Sequence, residues 1–245
     1  MIQRKSAIVV FVGAGLAILS AAVLLAAPLG YRWEVLPLLI ALLTVLRWGA
    51  YGAAAAAAVS FVGLILELLQ GDKSRVNISV AVGSIVFGLV IFSIPAGFRL
   101  GPEIPPIHDI TTDTNNPPEF VAVVSMNTPG RTVYEGPSIA VQQQEAYPDI
   151  QPIVLDAPAE EVFNKAVATV EEMGWDLVDA DPTAGRVEAT DTTFWFGFKD
   201  DVVIRIQSEG MGSRMDVRSL SRVGGSDVGK NAERIREFVN VFKSN

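Results

Sequence analysis

Three long apolar runs in the first hundred residues constrain this chain more than any other feature. Residues 6–27, 48–69 and 77–98 each supply about twenty predominantly apolar positions, enough for a helix to cross a hydrocarbon core of roughly 30 Å. A cleaved signal peptide is the alternative for the first run, but its apolar region would be only about 7 to 15 residues long, and further spans would not normally follow it. The sequence therefore predicts a membrane domain over residues 1–100 with three transmembrane helices.

A shorter apolar run, residues 35–46, lies between the first two spans. It has only about twelve apolar residues, which is too few to cross the bilayer. Aromatic and basic residues flank it at 31–33 and at 47–48, as is typical of the headgroup layer. We therefore expect an interfacial or re-entrant segment there and not a fourth crossing.

The positive charges of the short loops predict the orientation. Arg4 and Lys5 precede the first span, and Lys73 and Arg75 lie between the second and the third. With three spans both pairs lie on the same side, and the positive-inside rule makes that side cytoplasmic. The C-terminal domain is then periplasmic or otherwise extracytoplasmic. The two arginines that flank residues 35–46 oppose this orientation, and a fourth crossing there would reverse it.

Charge is distributed very unevenly between the two halves. Residues 1–100 carry 7 of the 19 basic and 3 of the 27 acidic residues, which leaves 12 basic and 24 acidic residues for the rest. Phosphate backbones would repel so acidic a domain, so nucleic-acid binding is excluded as a function class. The chain has no cysteine, which excludes disulfides, thiolate metal sites and a cysteine nucleophile.

Residues 101–155 connect the membrane half to a more regular C-terminal region. Five prolines, at positions 102, 105, 106, 117 and 118, exclude a helix over the first part and favour an extended strap. From 121 to 147 short apolar pieces alternate with proline and glycine, which predicts a long surface excursion. The whole stretch is expected to be irregular.

The strap holds the only histidine in the chain, His108, with Asp109 beside it and Asp113 nearby. These residues suit a metal site, a hydrolase in which His108 activates Ser219 or Ser221, or hydrogen bonds that hold the strap in place. One histidine with loop carboxylates is a weak metal pattern. The Gly-x-Ser-x-Gly turn of many hydrolases is also missing. The structural role is the preferred interpretation.

Residues 156–245 predict an α+β domain. A helix with one apolar face follows Asp156 and stops at Gly174, and a second helix runs over 226–243. Between them four strands alternate with turn signals, at 175–180, 186–196, 201–208 and 214–221. The predicted order is α-β-β-β-β-α, with an antiparallel sheet and the helices packed on one of its faces.

A set of polar residues spans the last two strands and the final helix. Because side chains alternate along a strand, Arg205 should lie near Asp216 if these strands form a hairpin. The candidate ligand-binding residues are Arg205, Arg214, Asp216, Arg218, Arg222, Asp227, Asn231 and Arg234. The arginines could bind an anionic ligand or a lipid headgroup, since guanidinium groups match carboxylates and phosphates. Alternatively, internal acids neutralise them, namely Asp200, Asp201, Asp216 and Asp227, and this is the preferred interpretation.

Three stretches also resemble a known family. PPIHDITTDTNNPPEF, FGFKDDVVIRI and SRMDVRSLSRVGGSDVGKNAERIREF are similar to the signature of the family named domain of unknown function 1499 (DUF1499). The stretch YRWEVLPLLIALLTVLRWGAYG is similar to the N-terminal region of its multi-pass members. The resemblance implies an integral membrane protein of the cell envelope. It implies no activity, so no catalytic residue can be assigned from it.

The sequence thus favours an envelope membrane protein with a structural or interaction role over an enzyme. The alternatives are a binding module for an anionic lipid or small molecule and, least favoured, a hydrolase that uses His108. Expected partners are the lipid bilayer, other envelope proteins or an anionic lipid. Neither a cofactor nor a metal is assigned.

Overall fold

The computed structural model describes residues 2–70, 73–95 and 104–244, with side chains from residue 5 onwards. The chain divides into two compact units, Met1–Arg99 and Leu100–Asn245. The predicted end of the third span at 96–98 and the first strap residues, 101–103, lie outside the described residues, as do the side chain of Arg4 and residue 245.

The N-terminal unit contains three apolar helices that are long enough to cross a membrane. The first is α1 (Ile2–Arg32) and the third is α4 (Arg75–Ser93). The second, Leu38–Leu68, consists of α2 (Leu38–Ile40), a π-helical turn (Ala41–Val45) and α3 (Leu46–Leu68). These helices indicate that the chain associates with a membrane, as the sequence predicts.

The prediction of a separate segment at 35–46 is wrong. The chain turns before Pro37, and from residue 38 onwards the same apolar run continues into the second long helix. No proline or glycine between 38 and 48 ends the helix, so the backbone hydrogen bonds pass through Arg47 and Trp48 without interruption. At about 1.5 Å per residue this helix is about 46 Å long, which exceeds a roughly 30 Å core.

Small residues allow α1 and α3 to pack closely and antiparallel. Gly13 lies against Ser60, and Gly49 lies against Leu24. A Cβ atom at Gly49 would come within 2.9 Å of the Leu24 backbone nitrogen, so only glycine fits there without a shift of the helix. Such contacts provide much of the packing between helices in a bilayer.

Glu67 joins the ends of the three helices. Its buried carboxylate accepts hydrogen bonds from Ser6 Oγ at 2.7 Å, from Ser74 N at 2.8 Å and from Asn77 Nδ2 at 3.3 Å. Ser74 caps the N-terminus of α4. The one acidic residue in the second long helix is therefore satisfied by neighbours from α1 and α4.

The C-terminal unit is built on an antiparallel sheet of six strands. In chain order these are β1 (Asp109–Thr111), β2 (Ile153–Leu155), β3 (Asp176–Asp181), β4 (Arg186–Thr192), β5 (Lys199–Glu209) and β6 (Gly212–Ser221). The spatial order is β1-β6-β5-β4-β3, and β2 pairs with another part of β6. The four predicted strands correspond to the meander β3 to β6, but β4 ends at Thr192 and not at 196, because residues 193–198 form a hydrogen-bonded turn.

Two helices pack on one face of this sheet, α6 (Ala159–Glu172) and α7 (Lys230–Ser244). Alternate strand residues such as Val187, Ile204 and Val217 point towards them and are fully buried. The helices contribute Phe163 and Phe238 to the same core. The predicted α+β class, with helices on one face of an antiparallel sheet, is confirmed.

Residues 104–155 are more regular than the sequence predicts. They provide β1 and β2, a 3-10 helix (Ala122–Met126) and helix α5 (Pro137–Ala146). Pro137 occupies the first turn of α5, where its missing N–H is not needed. The buried side chain of Gln143 accepts a hydrogen bond from Thr111 N and donates one to Thr111 O, so it mimics a strand partner for β1. Gln143 therefore lies in a buried contact within the stretch for which the sequence predicted a surface excursion.

The final helix starts later than predicted. Val228 and Gly229 have positive φ angles of 56° and 83°, which a helix cannot contain, so α7 begins at Lys230. Asp227 therefore precedes the helix and does not share a helical face with Asn231 and Arg234.

Candidate functional site

The candidate residues occupy both faces of the sheet and not a single site. Arg205, Arg214, Asp216, Arg218 and Arg222 lie on the face opposite α6 and α7, which we term the polar face because the strand alternation places polar side chains there. The remaining three candidates are at or near the start of α7, on the other face. The 3-10 helix and the preceding loop cover the polar face, where Phe120 and Val123 pack on Val203 and Leu220.

Arg218 is the most enclosed residue of the polar face, with its side chain 2% exposed. Its guanidinium forms a two-pronged ion pair with Asp109, at 2.9 Å from Nε to Oδ1 and 2.7 Å from Nη2 to Oδ2. It also donates to the carbonyl oxygens of Pro118, at 3.0 Å, and of Thr132, at 2.9 Å. One β6 side chain therefore fixes three points of the preceding chain to the sheet.

Two aromatic rings flank this guanidinium. Its carbon lies 4.9 Å from the Phe120 ring centre and 5.4 Å from that of Tyr134, within the range of cation–π attraction. Burial, together with the negative charge of Asp109, raises the pKa of Tyr134 to about 12. The phenol thus stays neutral beside the ion pair at any physiological pH.

Arg205 and Arg214 share two carboxylates. Asp216, the cross-strand partner of Arg205, lies 2.8 Å from Arg205 Nη2 and 3.1 Å from Arg214 Nε. Asp113 from the strap lies 2.7 Å from Arg214 Nη2 and 3.3 Å from Arg205 Nη2. The predicted proximity of Arg205 and Asp216 is confirmed. The hydrogen bond and charge of Asp216 raise the pKa of Arg214.

Arg222 closes the polar face at the end of β6. Its Nη2 and Nε donate to the two carboxylate oxygens of Asp201, at 2.7 and 2.8 Å. Asp201 is fully buried and also accepts from Thr190 Oγ1 and from Asn127 Nδ2, both at 2.7 Å. This cluster attaches the end of the 3-10 helix to β4 and β5.

On the opposite face, Arg234 of α7 donates to Asp191, at 2.9 Å, and to Asp200, at 2.6 Å. Asn231 accepts from Ser219 Oγ and donates to the carbonyl oxygen of His108. These contacts fix the start of α7 to the ends of β1, β4, β5 and β6.

Among the described residues Asp227 forms no ion pair with an arginine, contrary to the expectation from the sequence. Its two oxygens accept hydrogen bonds from the backbone nitrogens of Gly229, at 2.8 Å, and of Asn231, at 2.7 Å. It thus caps the entry to α7. Burial raises the pKa of this carboxyl group. Asp227, which the sequence analysis paired with an arginine, thus bonds to backbone N–H groups. Asp109 pairs with an arginine instead.

His108 of the strap is buried, and its Nε2 lies 3.6 Å from a carboxylate oxygen of Glu135. Burial and the charge of Arg131 lower its pKa. The hydroxyl groups of Ser219 and Ser221 bond to Asn231 and not to this imidazole. In the part of the chain that the structure describes, no group of three or more His, Asp or Glu side chains is arranged to hold a metal ion. The geometry for a hydrolase or a metal centre is therefore not assembled around His108.

The sequence did not single out Glu188, which is fully buried on the polar face. Its carboxylate accepts hydrogen bonds from the backbone nitrogens of Val121, at 2.8 Å, Ala122, at 3.1 Å, and Val123, at 3.0 Å. A carboxylate here satisfies donors that the first turn of the 3-10 helix would otherwise leave unpaired. Strand alternation could have placed this acid on the polar face, but not its backbone partners.

A cleft of about 270 Å³ opens beside these ion pairs. Arg186 and Arg205, which are cross-strand partners, line it together with Asn116, Pro117, Pro118, Glu119, Val121, Ala184 and Val203. Nε of each arginine is buried without a hydrogen-bond partner. Arg186 Nε lies 2.9 Å from Glu188 Oε1, but it lacks the alignment of a hydrogen bond. The cleft thus adjoins two buried donors that lack a hydrogen-bond partner.

Comparison with known proteins decides the family. The model of the family described as "Protein of unknown function (DUF1499)" matches residues 109–242, which is more than half of the chain. The chain belongs to this family. The resemblance carried by the three sequence stretches is thus confirmed, and the DUF1499 region coincides with the sheet, α6, α7 and the chain that covers the polar face. No curated protein matches the sequence.

Proposed function

We propose that this DUF1499 protein is a membrane-anchored interaction module of the cell envelope and that its Arg/Asp set maintains the shape of the domain. The observation that supports this most is the pairing of the candidate arginines. Arg205, Arg214, Arg218, Arg222 and Arg234 each bond to at least one aspartate. Guanidiniums already neutralised by aspartates are poor receptors for a further anion, since a ligand would have to displace a buried carboxylate.

The same contacts give the buried charges a role in an interaction module: they hold the chain that covers the polar face in place. The chain that covers the polar face has few apolar anchors, chiefly Phe120 and Val123. Charge-assisted hydrogen bonds, donated by Arg218 and accepted by Glu188 and Asp201, hold it in one conformation. The outer surface of this covering is then a fixed shape that a partner can recognise.

The proposal places the C-terminal unit outside the cytoplasm. Three crossings would put the two ends of the chain on opposite sides of a membrane, and Lys73 in the loop before α4 and Arg75 at its first position mark the cytoplasmic side. Because residues 38–46 belong to the second helix, they add no fourth crossing.

Purification of the full-length chain from its native membranes in mild detergent tests the interaction role. We expect one defined protein to co-purify in constant ratio, and to remain after exchange into lipid nanodiscs. Mass spectrometry of the same sample identifies bound lipid and small molecules. A chain that carries only a stoichiometric small molecule, with no protein partner, contradicts the proposal.

The cleft beside Arg186 and Arg205 favours a second candidate function, the binding of a small molecule with an uncharged hydrogen-bond acceptor, since the charges of both arginines are already balanced by acids. Its walls combine polar groups, among them Arg186, Arg205 and Asn116, with the apolar surface of Pro117. Ala184 lines the cleft and is exposed, so Ala184→Phe fills it without removing an ion pair. If a small molecule co-purifies with the wild type, this variant should lose it, and retention of the molecule would place it elsewhere.

A further inference from the structure

The turn between β4 and β5 carries two exposed aromatic side chains at its tip. Phe194 is 81% exposed and Trp195 is 57% exposed, and their rings meet edge to face at 5.5 Å. Single apolar residues are common on protein surfaces and need no explanation. Two adjacent large aromatic residues at the tip of a hairpin form a compact apolar protrusion, and such a protrusion requires an explanation.

The protrusion is held in a defined conformation. Thr193 N donates to Phe198 O at 2.8 Å, and Gly197 N donates to Thr193 O at 2.9 Å. Phe196, between them, is 3% exposed and stacks on Phe198 at 5.0 Å. The inner aromatic residues thus anchor the turn while the outer two point outwards, so little conformational entropy would be lost when the tip binds.

The strand register shows at which end of the domain this tip lies. β5 starts directly after the turn, and its Asp200 pairs with Ser221 at the end of β6. The end of β6 pairs in turn with the start of β1, Leu220 with Asp109. The chain coming from the last apolar helix therefore enters the domain at the same end of the sheet as the aromatic tip, and the β5–β6 turn at Met211 lies at the opposite end.

Further apolar surface is present at this end. Met126 is 51% exposed, and its sulfur lies 3.7 Å from Nη2 of Arg222, the residue that follows β6. The next residue, Val223, is 37% exposed. The aromatic tip is thus accompanied by other apolar side chains near the entry of the chain.

We propose that Phe194 and Trp195 insert into the headgroup–acyl boundary of the bilayer that the three apolar helices of this chain cross. Interfacial anchors use both side chains: the indole of tryptophan combines an apolar ring with a polar N–H that suits this boundary, and the phenyl ring of phenylalanine adds apolar area. Residues 94–108 connect the last helix to β1 and can span at most about 50 Å, so the covalent connection raises the effective concentration of the tip at the membrane. Tethering of this kind makes even a weak insertion effective.

Aromatic insertion, and not charge, is the attraction in this proposal. The region after residue 100 carries 12 basic and 24 acidic residues, so an anionic bilayer would repel it on average. Docking should therefore occur on neutral phosphatidylcholine and persist in high salt. The inference rests on the membrane-crossing helices and is independent of the proposed interaction role.

Site-directed spin labelling of the full-length chain tests this docking, because the chain contains no cysteine to interfere. Nitroxides are attached to Phe194→Cys and, as the matched control, to Met211→Cys, which is fully exposed at the other end of the sheet. Both proteins are reconstituted into phosphatidylcholine vesicles, and collision with oxygen is compared with collision with a water-soluble nickel chelate. We expect the oxygen-to-nickel ratio to be several-fold higher at position 194 than at 211. Adding Trp195→Ser to the Phe194→Cys protein should reduce that ratio towards the control value.

Two results would overturn the proposal. Equal access of the nickel chelate to both labels would show that the tip remains in water. Protection of the label at 194 from both reagents would show that a protein surface covers the tip. Phe194 and Trp195 are both exposed, so these substitutions leave the core of the domain intact.

Discussion

Among individual residues, Arg218 bonds to three points of the chain that covers the polar face, Asp109, Pro118 and Thr132, and so holds it on the sheet. It combines an ion pair that is nearly inaccessible to solvent with two hydrogen bonds to backbone carbonyls. Removing one partner of such a pair leaves the other as a buried, unpaired charge. That loss is much larger than the net worth of the pair itself.

Arg218→Ala should therefore destabilise the C-terminal unit by about 3–5 kcal/mol, the usual range for a broken buried pair. Arg236→Ala is the matched control, because it breaks an ion pair with Asp149 whose side chains are 41% and 55% exposed. That loss should be about 0–1 kcal/mol. Chemical unfolding of the full-length protein in detergent, followed by pulse proteolysis, measures both. Equal effects of the two substitutions would contradict the structural role of Arg218.

His108 should make the stability of this unit depend on pH. Burial and Arg131 lower its pKa in the folded protein below the usual value of 6.5, while Glu135, Asp109 and Asp227 oppose the shift. Between the lowered pKa and 6.5 the unfolded chain binds more protons, so the free energy of unfolding falls as the pH is lowered through this window. The stability is fully present above 6.5.

Replacement of His108 by glutamine should remove this part of the pH dependence, which is at most about 1.4 kcal/mol per pH unit for one proton. The measurement is the unfolding free energy of wild type and variant between about pH 7.5 and about pH 5.5. Comparing the two proteins separates the effect of His108 from that of Asp227, whose raised pKa acts with the opposite sign in both. Parallel curves for the two proteins would refute the assignment.

Among the elements, the contact between α1 and α3 has the least tolerance for change. Valine at Gly49 would drive a Cβ atom into the backbone of Leu24, whereas a Cβ atom at Gly15 has no neighbour within 4 Å. Gly49→Val should therefore lower the free energy of unfolding of the helical unit by about 1–3 kcal/mol, or more because backbone atoms must move, and so lower its unfolding midpoint. Gly15→Val makes the same change in helix propensity and should have little effect. Resistance to SDS unfolding compares them, and equal midpoints would show that this close approach is not formed.

The β4–β5 hairpin shows how one element can serve two roles. Its strands contribute Glu188 and Asp201 to the polar face, where they hold the covering chain. Its turn exposes Phe194 and Trp195 at the end where the chain enters the domain. A short segment thus supports the fold along its length and offers an apolar surface at its tip.

For the whole molecule, the orientation in the membrane can be tested directly, since the chain has no cysteine of its own. Met211→Cys and Lys73→Cys place single thiols at exposed positions in the C-terminal unit and in the loop before α4. In intact spheroplasts an impermeant maleimide should label position 211 at once and position 73 only after the membrane is permeabilised. The reverse pattern would place the C-terminal unit in the cytoplasm.

The sequence by itself determined the apolar helices, the meander β3 to β6, helix α6 and the face on which each strand residue lies. These features depend on local periodicity, which is visible within a short window of the sequence. The same alternation correctly paired Arg205 with Asp216, since neighbouring strands of one hairpin are close in the chain.

Only the tertiary structure decided which acid pairs with which base and which acid bonds to the backbone. Arg218 pairs with Asp109, more than a hundred residues away, and Glu188 binds backbone groups whose position depends on the folded covering chain. Gln143 likewise gains its role from the distant Thr111. Partners of this kind are selected by three-dimensional proximity and by the penalty for leaving a buried polar group unpaired, and neither is visible in local sequence patterns.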